Sequence, residues 1–497
     1  MRSSISLPVA GSPRGGQLPR LGSRGQLPAL AAAALLGAAV AGRSPPLIGL
    51  ALIPLALAAI ARPEGAVVAF AAAFYLNLPV IAARDFHLSP ALSSSVALLL
   101  LVPALAEVAL RRRPLVVTPA LALMVGYLVV LVLSATLAAG GRPATVGPIV
   151  TFLEEGLLLY LLVTNVVRTP RVLRAVLWSV VLAGAFMGLV SLWQEATHSY
   201  HTTLAGLAQV DVTGFNVGNG ISGKELRPRL AGPIGEKNRY AQVLLVLLPL
   251  AVSRIRAERR RGLRVLAAVC AGLILCGVVL SFSRGAAIAM VVLVLAMAAL
   301  RMISLRQLLA LALTLVALVA VVAPDYVGRL QTLEGADSAL SQSSGADAAI
   351  QGRATESMAA LLVFRDHFAL GVGPGQFFSR YSALYGNALD LRFLDQNRRA
   401  HNLYLEIAAD TGALGLAAFL AIVGVTLKQL WRLSVFWRSR DLALAGLCQA
   451  FLLALVAYLA TGVFLQLAYQ RYFWFLVALA NAAVWIGRRE AGRIASR

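Results

Sequence analysis

The chain has 497 residues, of which 59% are hydrophobic and only 13% charged. Soluble domains carry about a quarter charged residues, so the composition excludes a soluble globular protein and indicates a membrane one. The formal net charge of +22 would suggest nucleic acid in a soluble chain. Here the arginines fall in short loops between apolar runs, as membrane topology requires, and no nucleic-acid partner is expected.

Residues 1–27 are rich in Gly, Pro, Arg and Ser and read as a disordered tail. Apolar runs follow at 28–42, 46–61, 66–82, 91–110, 116–139, 147–166, 173–193, 239–253, 264–281, 285–300, 305–323, 402–427, 442–466 and 470–487. A bilayer-crossing helix needs about 20 apolar residues. The fourteen runs therefore predict an all-α membrane protein, a polytopic bundle of 12–14 transmembrane helices. The range allows for a short, Ala-rich first run and for a re-entrant unit around Pro45-Pro46. The first run is read as an uncleaved helix, since the charge alternation stays consistent when it is kept.

Basic clusters stand at Arg111-Arg112-Arg113, 168–174, 254–264, Arg301 with Arg306, 428–440 and Arg488-Arg489. An even number of runs separates each cluster from the next, so all share one side. The positive-inside rule makes that side cytoplasmic, with both termini. The opposite, outer face then receives two long connections, 194–238 and 323–401. They divide the chain into N-terminal helices (28–193), central helices (239–322), C-terminal helices (402–487) and a tail (488–497).

Cys270, Cys276 and Cys448 all lie within apolar runs, which predicts neither a disulfide framework nor a Cys-based metal site. His198 and His201 stand three apart on the first outer loop, but no third ligand accompanies them, and no metal site is expected.

The second outer loop carries its own order. Residues 335–347 are rich in Ser, Ala and Gly. From 353 to 368, Met358, Leu361, Leu362, Val363 and Phe364 among polar neighbours predict an amphipathic helix on the bilayer surface or the bundle. Gly371-Val372-Gly373-Pro374-Gly375 then turns the chain. Phe377, Phe378, Tyr381 and Tyr385 suit a membrane interface, and His401 arrives at the mouth of the next run.

Several arginines face outward against the topological bias: Arg227, Arg229, Arg284, Arg353 and Arg398-Arg399. A guanidinium is permanently charged and its planar fork matches phosphate oxygens. A ring of them could hold a polyprenyl pyrophosphate and stabilise it as a leaving group without a divalent metal. Singly, each could instead snorkel to lipid phosphates or pair with an acid. Arg284 stands out, because Ser283-Arg284-Gly285 opens a helix whose N-terminal N–H groups also favour an anion. His401 titrates in the neutral range and could take a proton from an attacking hydroxyl, or serve as a hydrogen-bonded structural histidine. Glu154-Glu155 falls inside the sixth run, where a carboxylate is costly. It could neutralise a site arginine or take part in catalysis. Glu406, about 140° round a helix from His401, is a weak orienter for it.

These elements, in order, resemble the O-antigen ligase/polymerase group of bacterial membrane proteins. The resemblance rests on Arg229-Leu230-Ala231-Gly232, Gly235 and Asn238; on Ser283-Arg284-Gly285; on Arg353; on Gly371-Val372-Gly373-Pro374-Gly375-Gln376-Phe377; and on His401-Asn402-Leu403-Tyr404-Leu405 followed by Gly412 and Gly415. It extends over 225–420 and departs at Glu236-Lys237, where a small residue or proline is expected before Asn238. It implies a GT-C-like fold in the bacterial inner membrane and an inverting, cofactor-free and metal-independent glycosyltransfer on the periplasmic face. The donor would be a glycan on undecaprenyl pyrophosphate, and the acceptor a hydroxyl on lipid A–core (ligase) or on another lipid-linked repeat unit (polymerase). By the same analogy Arg284, Arg353 and Arg229 bind the pyrophosphate. His401 acts as base or transition-state stabiliser, with Asn402, Tyr404, Asn238, Glu154, Gly373 and Gly375 in support. From the residues alone, a transporter or flippase of an anionic lipid-linked substrate is the rival reading, with Glu154-Glu155 on its pathway.

Overall fold

A computed structural model describes residues 57–496, apart from 58, 89–94, 137, 139–141, 218–224, 323–347, 390–393 and 467–469. The tail 1–27, the run 28–42, most of 46–61 and the Ser/Ala/Gly-rich 335–347 lie outside the described residues.

The chain is an all-α membrane protein. Seven described helices are long and apolar enough to cross a bilayer, or eight if one bent pair is a single span. The bent pair is α1 (Pro63–Tyr75) and α2 (Leu78–Arg84), turned by 56°. Asn77 makes that bend in the left-handed region, with φ 58°. α3 (Leu98–Leu105) is short and continues as a π turn, Ala106–Leu110. α4 (Pro119–Thr136) is a full span. α5 (Arg142–Thr151), a π segment (Phe152–Leu158) and α6 (Leu159–Val166) follow, forming one span over Thr145–Val166. Glu154 and Glu155 stand in the π segment, where the extra residue per turn re-aims side chains.

α7 (Pro170–Thr197) starts at Pro170 in its first turn, with Thr169 capping it. α8 (Lys237–Ala257), α9 (Arg261–Leu280) and α10 (Arg284–Ala299) build the centre, α10 being too short for a full span. α11 (Leu305–Val322) closes this group. After α12 (Ala348–Asp366) and α13 (Ser382–Asn387) come α14 (Leu403–Trp437), α15 (Leu442–Gly462) and α16 (Gln470–Ala495). α8, α15 and α16 fill the middle and are buried almost all round. α4 and α10 instead present Val125, Val129, Val132, Val291 and Leu295 outward, apolar surface that acyl chains must cover.

The turns 168–174, 254–259, 301–302, 438–441 and 490–496 gather at one end of the bundle, around two cavities that share Ala257, Asp441 and Ala443. Arg168 joins them to 113–114 by donating to Pro114 O (3.0 Å). The two long connections meet at the other end.

The first connection holds a feature that helical periodicity does not foresee. β1 (Gln209–Val217) and β2 (Glu225–Gly232) form an antiparallel hairpin that sets Asp211 opposite Arg229. The second contains the expected helix, α12, with a different inward face. Ala359, Ala360 and Val363 pack with Val372, Phe377, Ala400 and Ala409 into a small core of their own. Of the apolar residues expected on this helix, Val363 is buried in that core and Leu361 is exposed.

Candidate active site

The glycine turn is stapled into a break in α14. Gly412 adopts φ 66°, ψ −167°, so the helix is interrupted and carbonyls before the break lose their intrahelical donors. Val372 N and Gly373 N donate to Ala409 O (3.0 Å) and Asp410 O (2.9 Å), while Ala413 N donates to Phe368 O (2.7 Å). The Asp410 carboxylate completes the staple, accepting from Gly375 N (2.8 Å) and Phe377 N (2.9 Å). Gly371 (φ 67°) touches this backbone so closely that a Cβ would lie 2.4 Å from Asp410 C. Gly373 and Gly375 likewise have positive φ and abut Ala138 and Pro148.

This staple fixes the approach to His401. Ser357 on α12 donates to Ala400 O (3.0 Å). Glu406 accepts from Arg399 (2.8 Å) and from Ala400 N (3.1 Å), so it orders the residues before the histidine and makes no bond to the histidine itself. Asn402 caps α14, accepting from Tyr404 N (3.0 Å) and Leu405 N (3.1 Å), and Tyr404 OH donates to Leu459 O (2.9 Å). These two motif residues thus anchor the start of α14, directly after His401.

His401 itself has φ 49°. Its Nε2 lies 3.6 Å from Glu356 Oε2 on α12, beyond hydrogen-bond length. Its Nδ1 is buried without a hydrogen-bond partner among the described residues. Burial, then the positive charge of Arg353, push the imidazole pKa down to about 4, against the opposite pull of Glu236. The ring is therefore a neutral base at neutral pH.

The arginines converge from three elements. Arg229, on β2, is buried and lies 3.7 Å from Asp211. Burial lowers its pKa, Asp211 and Glu236 raise it, and Arg284 and Arg353 lower it again, which places all three guanidinium groups in one electrostatic neighbourhood. Arg284 is the first residue of α10, behind the cap made by Ser283, whose hydroxyl accepts from Ala286 N (3.4 Å). A small cavity is lined jointly by Asn238, Ser283, Gly285, Ala286 and Arg353. Arg353 thus lines the cavity at the start of α10, and its charge also reaches Arg229 and His401, lowering the pKa of each.

The departure at Glu236-Lys237 has a structural account. Glu236 is the N-cap of α8, accepting from Asn238 N (2.9 Å) and Arg239 N (2.7 Å), and it also holds the Asn238 side chain (3.0 Å). Lys237 pairs with Asp211, helping Arg229 to neutralise that carboxylate.

Glu154 is not brought to this cluster. It lines a mostly apolar cavity of 420 Å³ with Phe70, Phe74 and Leu100. Its neighbour Glu155 faces Arg471 at 3.4 Å, and Arg471 donates to Asn77 (2.8 Å). A second, polar cavity of 580 Å³ lies under the glycine turn, lined by Arg399, Glu406, Asp410 and Glu155. Sequence reasoning missed Glu356, Asp410, Arg471 and Arg239. Arg239 is fully buried, donating to Gln242 (2.6 Å) and Gln466 O (2.5 Å). An arginine inside an otherwise apolar run was the available signal for it.

The arrangement offers several fixed positive charges beside a neutral imidazole base, at the end of the bundle opposite the arginine-rich turns. The O-antigen ligase family profile matches residues 269–420, the stretch that carries Arg284, Arg353, the glycine turn, Asp410 and His401. The hairpin with Arg229 lies upstream of that match. The comparison with curated proteins gave no match. Over residues 269–420, then, the chain is similar to the O-antigen ligase family.

Proposed function

We propose that the protein is an O-antigen ligase-type glycosyltransferase that joins a glycan from undecaprenyl pyrophosphate to an acceptor hydroxyl at the periplasmic face of the bacterial inner membrane. The observation that carries this reading is the cavity that Asn238, Ser283, Gly285 and Arg353 line where Arg284 opens α10, within electrostatic reach of Arg229 and His401. A pyrophosphate leaving group develops negative charge as the glycosidic bond breaks. Guanidinium groups fixed beforehand stabilise that charge without reorganising. The inverting step then needs a base on the acceptor hydroxyl, and His401, kept unprotonated by burial and by Arg353, would supply it. Because the arginines provide the positive charge, the reaction needs no divalent ion.

The test is reconstitution of the purified protein in liposomes with lipid-linked donor and acceptor, with EDTA present. Glycan joining without net movement of donor across the bilayer is expected; translocation without joining would favour a flippase instead. In a deletion strain, long polymer left on its carrier is the expected product, whereas accumulation of single repeat units would assign the polymerase reaction.

A further inference from the structure

A cavity of 800 Å³ at the arginine-rich end of the bundle takes no part in that reaction. Three segments build it: Arg256 in the last turn of α8 with Arg259 just after it, Arg301 after α10, and Arg438 and Arg440 before α15. Its two carboxylates are already engaged. Glu258 pairs with Arg174 and Arg254 and accepts from Trp178 (3.0 Å). Asp441 caps α15, accepting from Ala443 N (2.8 Å) and Leu444 N (3.1 Å). Among the arginines, Arg256 braces the neighbouring turn by donating to Arg301 O (3.1 Å) and Met302 O. Arg440 lies 4.2 Å over the Phe436 ring. Arg259, Arg301 and Arg438 make no ion pair among the described residues. Beside these charges stand Leu442 and Phe436, both exposed.

We infer that this cavity binds the phosphate of an anionic phospholipid headgroup from the leaflet on that side, with the acyl chains along Leu442 and Phe436. A topology signal requires only basic residues in loops. Here the charges instead converge from three segments on one concavity whose acids are spent. Like charges so arranged repel, and a phosphate diester relieves that repulsion through forked hydrogen bonds. The chemistry shared with a free phosphate ion is the anionic oxygen; the adjoining apolar surface selects the lipid.

The test is native mass spectrometry of the full-length protein, delipidated in detergent and titrated separately with phosphatidylglycerol, cardiolipin and phosphatidylcholine. Retention of the anionic lipids over phosphatidylcholine by roughly tenfold or more is expected from the charges involved. Arg259→Gln with Arg438→Gln should remove most of that preference. Arg112→Gln with Arg489→Gln, the same charge removed elsewhere on the same end, should leave it. Arg301→Gln, on a separate turn, gives a second test should the double variant fold poorly. Equal retention of all three lipids, or equal loss in the control pair, would overturn the inference. Displacement of bound lipid by millimolar inorganic phosphate alone would overturn the lipid assignment.

Discussion

His401 combines three constraints: a left-handed backbone, partial burial, and a guanidinium neighbour that disfavours its protonated form. A depressed pKa keeps the base form populated down to mildly acidic pH. We therefore expect kcat/KM for transfer to stay flat from neutrality to about pH 5 and to fall only as pH drops through about 4. Arg353→Gln removes the second-largest cause of the depression, so its acid limb should move up toward the ordinary histidine value even as its rate falls. An unshifted limb in that variant would separate Arg353 from His401. His401, Arg284 and Arg353 were legible in the sequence because each stands at a helix start or in a polar loop of a membrane chain, where charge is conspicuous. Glu356 and Asp410 were not, because an acid in an amphipathic or interfacial helix is ordinary, and only folding shows what each one faces.

At the scale of elements, the outer segment depends on the junction between the glycine turn and the break in α14. The glycine pattern was readable as a turn, but its receptor was not, since α14 reads as one continuous apolar helix and Gly412 as one glycine among many. Gly412→Ala would place a Cβ 2.3 Å from Ala369 C on a backbone with φ 66°. A cost of about 1–3 kcal/mol is expected for the strained backbone alone. Limited proteolysis of 367–400 should accelerate in that variant, while cleavage of the arginine-rich turns should not. Asp410→Asn keeps the size of the side chain but leaves one of two backbone donors facing an amide N–H₂. A loss of about 1–3 kcal/mol is expected, read as a lower melting temperature. The hairpin was missed for a different reason. Val210, Val212 and Phe215, Val217 alternate as a strand does, but a reading built on helical spans treated 194–238 as a connection.

For the whole molecule, counting arginine clusters placed every basic turn on one side, and the fold gathers those turns at one end of the bundle. That much is visible in sequence because charge is excluded from the bilayer core and must collect at its borders. Reporter fusions should therefore be active in the cytoplasm when placed after Arg440 and in the periplasm when placed after Asp366. The reverse pattern would put the arginine–histidine cluster on the side where a periplasmic lipid-linked donor is inaccessible. What the linear order does not carry is convergence: Arg229, Arg284 and Arg353 come from β2, α10 and α12, and only packing brings their charges within reach of one another. The central claim is that His401 acts as base within this cluster. Its most direct test is the rate of glycan joining by wild type and His401→Ala at equal protein in the same proteoliposomes, with EDTA present. The account predicts joining by the wild type and a loss on the order of 10²–10⁴-fold in the variant, the usual contribution of a general base. A folded His401→Ala protein that joins glycan at the wild-type rate would contradict it.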